Sequence, residues 1–148
     1  MSSYQRFAAH AAFLCLSFTS ISVLAQDHPY TEGPVVNVAG IRTANGKFDE
    51  YMKYVATTWK QTMEEGKKAG DVISYEVLAV EPRGENDPDI YLVTRYKNWA
   101  ALDGWIAKGD AISKKVEGSV EAADRSFSER DKMRRTVSSA TMQVLNLK

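Results

Sequence analysis

The chain is poor in the residues that build reactive centres. Among 148 residues there are one cysteine, Cys15, and two histidines, His10 and His28. Long apolar runs are equally scarce: the only one lies at residues 7–24, behind Arg6. With Val23-Leu24-Ala25 ahead of Gln26, residues 1–25 read as an export signal cut after Ala25. Ser17, Thr19, Ser20 and Ser22 interrupt the run, which favours cleavage over an uncleaved anchor. The expected location is therefore periplasmic or secreted.

Each scarcity excludes something. Cys15 falls inside the signal, so the domain beyond the cut has no cysteine for a disulfide, a thiolate metal site or a nucleophile. His28 alone remains, in a polar lead-in at residues 26–33, and cannot form a metal-binding pair. No cofactor is expected. Neither charge sign dominates: 19 basic residues meet 19 acidic ones. Such a domain has no strong pull toward nucleic acid or an anionic membrane. No later segment is long and apolar enough to stay in a bilayer.

The rest of the chain alternates between two periods. Residues 34–42, rich in valine, read as a strand, and Asn45-Gly46 marks a turn. Over residues 47–68, Phe48, Met52, Val55, Trp59 and Met63 recur at helical spacing, and Gly70 ends the run. Residues 72–80 and 90–96 read as strands joined by an acidic turn at 81–89. Asn98 is placed to cap a short helix carrying Ala101, Leu102, Trp105 and Ile106. Gly109-Asp110 is expected to break it before a second run through Ile112, Val116, Val120, Ala123 and Phe127 to about residue 135. Residues 138–147 close as a fourth strand.

The order is βαββαβ, an α+β chain of ferredoxin-like topology over residues 34–148, with a four-stranded antiparallel sheet and both helices on one face. The strands carry apolar residues in both registers, Ile73, Tyr75 and Val77 against Val72, Leu78 and Val80. The uncovered face then wants a partner, and a homodimer packed sheet to sheet supplies one.

The layout resembles the dimeric α/β-barrel superfamily, which includes antibiotic-biosynthesis monooxygenases and haem-degrading monooxygenases. The local likeness is residues 93–105, a strand ending in Tyr96-Lys97, then Ala101-Leu102 and Trp105. In the haem-degrading members the resemblance implies an asparagine on the first strand, this tryptophan and a later histidine. Trp105 matches the tryptophan. The asparagine position falls on Ala39, two residues after Asn37, and the histidine position on Lys115 or Val116. Lack of an axial imidazole argues against haem degradation. What the resemblance implies is a fold and a cavity beneath the helices.

Asn37, Trp59, Tyr75, Arg95 and Trp105 are the pocket candidates. Trp59 and Trp105 also suit an ordinary core, and Tyr75, Tyr91 and Tyr96 suit strands as well as proton transfer. A hairpin closed around Glu85 sets Glu76 opposite Arg95, as a structural ion pair or as a clamp whose arginine holds an anionic oxygen. Arg130, Lys132, Arg134 and Arg135 form a basic helix end, either an anion site or a solvated complement to the helix dipole. Glu81, Glu85, Asp87 and Asp89 lack calcium-loop spacing and read as a solvated turn. Three functions fit: an exported homodimer holding a small apolar ligand, a cofactor-independent monooxygenase acting on an aromatic or quinol-like substrate, or a non-catalytic partner-binding module. The second requires Arg95, a tyrosine and Asn37 to converge on one cavity.

Overall fold

The structure is a computed structural model that describes residues 27–148. The expected export signal and Cys15 lie outside the described residues. Strand β1 (Tyr30–Thr43) leads into α1 (Phe48–Tyr54), a π-helical turn (Val55–Trp59) and α2 (Lys60–Lys68). Strands β2 (Val72–Ala79) and β3 (Ile90–Tyr96) follow as a hairpin. A 3-10 turn (Trp99–Leu102), α3 (Trp105–Glu117) and α4 (Val120–Asp131) lead to β4 (Arg134–Leu147). The sheet order is β2-β3-β1-β4 and every pairing is antiparallel, which is the ferredoxin-like fold.

The core lies between β1, β3 and the first helical layer. Ile41, Ile90 and Leu92 alternate onto one sheet face and meet Tyr51 and Val55. Met52, Trp59 and Met133 seal its edge. Tyr51, 1% exposed, is the deepest helix anchor, whereas Phe48 stays 41% exposed. The face turned to the sheet is the expected one through Met52, Val55 and Trp59, joined by Tyr51, with Phe48 left exposed at its start.

Three boundaries differ from the sequence reading. Strand β1 begins at Tyr30 and β4 at Arg134, because the two pair along most of their lengths, from Tyr30–Leu147 to Thr43–Arg134. The helical return does not break at Gly109-Asp110, which lies inside α3. It breaks at Gly104 and Gly118, with φ of 65° and 86°, a backbone region that side-chain-bearing residues avoid. Asn98 and Ser119 cap the 3-10 turn and α4, accepting from the Ala101 and Ala122 amides at 3.1 Å each.

The other sheet face carries Val36, Leu78, Tyr91, Val93 and Met142, by the strand registers. Leu78 and Met142 are 47% and 49% exposed. An apolar strip thus runs across all four strands on the side away from the core helices.

Candidate functional site

The sharpest expected pair does not form. The ladder runs without a shift from Ala79–Ile90 to Ser74–Arg95, which sets Arg95 opposite Ser74 and Glu76 opposite Val93. Glu76 and Arg95 share a face but sit one diagonal step apart, and no ion pair joins them among the described residues. The turn is centred between Gly84 and Glu85, where the Val80 amide donates to the Asp89 carbonyl at 2.9 Å, so each β2 residue faces a β3 residue two places earlier than the expected pairing.

The five pocket candidates separate. Asn37 lies on the helix side of β1 and donates to Thr141 Oγ1 at 2.9 Å and to the Ala140 carbonyl at 3.4 Å. Trp59 meets the Tyr75 ring edge-on, centroids 5.3 Å apart, at the margin of the core. The Tyr75 hydroxyl donates to Glu64 Oε1 at 2.7 Å, and that bond holds the tyrosine pKa above its usual range and the Glu64 pKa below it. Arg95 lies on the opposite sheet face, beside Val36. Arg95 and Asn37 thus occupy opposite faces of the sheet, and the convergence that a cofactor-independent oxidation required is not met.

Trp105 is different. Gly104 turns the chain so that Trp105 opens α3, where it is 70% exposed and is no core residue. It lines a cavity of about 200 Å³ between α2, α3 and the ends of β2 and β3. Met63, Val72, Leu102 and Ile112 give the cavity an apolar wall, and Tyr96 also lines it. Burial raises the Tyr96 pKa above its usual range, so the phenol stays protonated. The Thr94 hydroxyl donates to Met63 Sδ at 3.4 Å, which ties α2 to the cavity floor.

One charged pair completes this wall. Lys108 Nζ donates to Asp71 Oδ1 at 3.1 Å and to the Ala101 carbonyl at 2.8 Å. It pins α3 to the strand ends and leaves a polar rim beside an apolar interior. This is the pattern of a pocket that orients a ligand by one polar end. Asp71 and Lys108 are not among the residues that the sequence pattern marks, and Ile112 is marked there only as a helical core position. A signal for them existed: residues 105, 108, 109 and 112 lie on one helical face.

A larger hollow of about 600 Å³ runs between the π-helical turn, α2 and α3, but Lys60, Glu64, Glu65, Lys68 and Lys115 make it a charged groove. Its carboxylates are already engaged: Glu65 pairs with Lys68 at 2.6 Å and with Lys115 at 3.3 Å. Among the described residues no group of three or more His, Cys, Asp or Glu is placed to hold a metal ion.

No protein-family model and no curated protein matches the sequence. Solved structures do resemble it. Protein SO0527 from Shewanella oneidensis superposes at a TM-score of 0.51 with 17% identity, covering 79% of this chain and 96% of its own. HapK from Hahella chejuensis superposes at 0.50 with 13% identity, covering 73% and 90%. A dimeric ferredoxin-like protein from an uncultured marine organism superposes at 0.48 with 12% identity, covering 79% and 90%. At these identities the first two likenesses show a shared fold.

Proposed function

We propose that this chain is an exported, homodimeric binding protein for a small, mostly apolar ligand with one polar end. The observation that carries the ligand reading is the cavity of about 200 Å³ beneath Trp105, apolar along Met63, Val72, Leu102 and Ile112 and polar at Asp71–Lys108. The apolar sheet face through Leu78 and Met142 supports the dimer, because burying it against a second copy removes it from water. The apolar run at residues 7–24 supports export.

Gly109 supplies the test. It lines the cavity from α3, and a Cβ built there meets no atom within 4 Å. Replacing it with leucine fills the cavity, and loss of a helix-interior glycine favours the helix by roughly 0.5–1 kcal/mol. Titration with 1-anilinonaphthalene-8-sulfonate is expected to show saturable fluorescence in the parent and roughly tenfold weaker binding in Gly109→Leu, with no loss of melting temperature. Equal binding by the two proteins overturns the site. Native mass spectrometry of the protein made in a bacterial host checks the rest: a dimer of chains beginning at Gln26 is expected, and a full-length monomer refutes both dimer and export.

A further inference from the structure

The far end of the sheet holds an arrangement that stability alone does not favour. Arg42 on β1 stands directly opposite Arg135 on β4. Like charges facing each other across two strands repel. Among the described residues neither arginine has a carboxylate partner. Their hydrogen bonds go to neutral oxygens of the β2–β3 turn: Arg42 donates to the Asp87 carbonyl at 3.4 Å, and Arg135 donates to the Glu85 carbonyl at 2.7 Å and to Asn86 Oδ1 at 3.1 Å. Most of the five donors on each guanidinium remain available.

The opposed pair lines two adjoining clefts. One, of about 240 Å³, also takes in Lys132, Arg134 and the single carboxylate Asp131, which pairs with Arg134 at 3.4 Å. The other, of about 390 Å³, shares Arg42, Thr43, Ala44 and Arg135 and adds Glu85. Of the other acids of this turn, Asp87 accepts from the Arg83 amide at 2.9 Å and Asp89 is turned to the amide and hydroxyl of Thr43. The Arg134 Nε is buried without a partner. The lining of the smaller cleft therefore holds four cations and one carboxylate; Lys132 pairs with Glu129 at 2.6 Å and Arg134 with Asp131, which leaves Arg42 and Arg135 as the two without a carboxylate.

We propose that this end of the sheet binds a phosphate dianion, free or as a monoester, gripped between Arg42 and Arg135. The charge and the shape select it. A carboxylate has two oxygens and one charge, enough for a single guanidinium fork, and leaves the opposed arginines under-neutralised. A phosphate group presents three terminal oxygens in a tetrahedral array and up to two charges, so both forks engage at once. The adjoining cleft leaves room for the esterified group. This site lies at the opposite end of the sheet from the apolar cavity and does not depend on it.

Calorimetric titration of the full chain with inorganic phosphate and with phenyl phosphate, at an ionic strength held constant with chloride, tests the proposal. One anion per chain is expected, with Arg42→Gln and Arg135→Gln each weakening binding by about tenfold or more. Lys60→Gln, in the groove between α2 and α3, is expected to leave it unchanged. Phosphate should raise the melting temperature of the parent beyond the effect of equivalent chloride, and should not do so for Arg135→Gln. Tighter binding of phenyl phosphate than of phosphate assigns a monoester, and equal binding assigns the free anion. Absence of binding, a chloride effect of the same size, or full binding by both arginine variants overturns it. Arg135 is exposed, so its variant remains informative if Arg42→Gln fails to fold.

Discussion

Asp89 stands among the acids of the β2–β3 turn, yet its half-buried carboxylate is engaged by the chain rather than left free to water. It accepts from the Thr43 amide at 3.1 and 3.2 Å and from the Thr43 hydroxyl, and so binds the end of β1 to the start of β3. Thr43 is buried. Asp89→Ala would strand its amide and hydroxyl and is expected to destabilise the protein by about 1–3 kcal/mol, read as a lower urea midpoint. Glu85→Ala, four residues away on the same turn, should stay within about 0.5 kcal/mol of the parent. A second residue-scale device is the pair Tyr51–Tyr54. Burial raises both phenol pKa values above the usual range, against the opposing pull of Arg134 on Tyr51 and of Arg130 on Tyr54. The Arg130 guanidinium lies over the Tyr54 ring, 4.8 Å from its centroid, and donates to its hydroxyl. A raised pKa means that the folded state holds the proton more tightly than the unfolded one. The resulting stability is complete below about pH 10 and is lost as pH rises through the raised values. Urea midpoints should fall as the pH is raised above about 10, and Tyr54→Phe should flatten that fall.

At the scale of elements, capping and packing decide where the helices stop. The α4 N-cap bond from the Ala122 amide to Ser119 Oγ is single and local. Ser119→Ala is expected to cost about 1 kcal/mol, read from thermal melts, with recovery in Ser119→Asp. The strands and the first helix were legible because Ile41, Ile90, Leu92 and Val55 repeat at periods that only one geometry can bury. The second helical region was less legible. Gly109 looks like a breaker, but a single glycine inside a helix costs little beside the contacts that hold α3. The real breaks sit where positive φ is required; Gly118 had a local signal in the capping Ser119 that follows it, and Gly104 had none. The Glu76–Arg95 pairing failed for another reason. The turn is centred between Gly84 and Glu85, one residue earlier than the expected pairing requires, and within the polar loop at residues 80–89 residue spacing does not fix the centre to one residue. Of the candidate site, Trp105 was readable from its helical face. Asp71 and Lys108 were not, because their contact spans two elements that touch only after folding.

For the whole molecule, the sheet has one face filled by helices and one that is apolar and open. Met142 and Leu78 lie toward opposite edges of the open face, on β4 and β2. Sedimentation equilibrium at micromolar concentration is expected to give a dimer for the parent and a monomer for Met142→Glu or Leu78→Glu, with circular dichroism unchanged. A monomeric parent removes the dimer from the proposed function while leaving the apolar cavity and the arginine pair untouched. The two proposed binding sites are likewise independent: they occupy opposite ends of the sheet and share no residue. Blocking the cavity with Gly109→Leu should leave phosphate titration as in the parent.

The β1–β4 ribbon sets a timetable for folding. The first strand lies inside the sheet, yet both of its neighbours, β3 and β4, are synthesised after it. Tyr30 waits for Leu147, and the Lys148 amide donates back to the Pro29 carbonyl at 3.0 Å. Such distant pairing slows folding and leaves β1 as a bare edge until residues 134–147 have been made. For a chain that is threaded through a membrane before folding, as we propose for this one, that delay is useful. The sheet cannot close while its last strand is still on the other side.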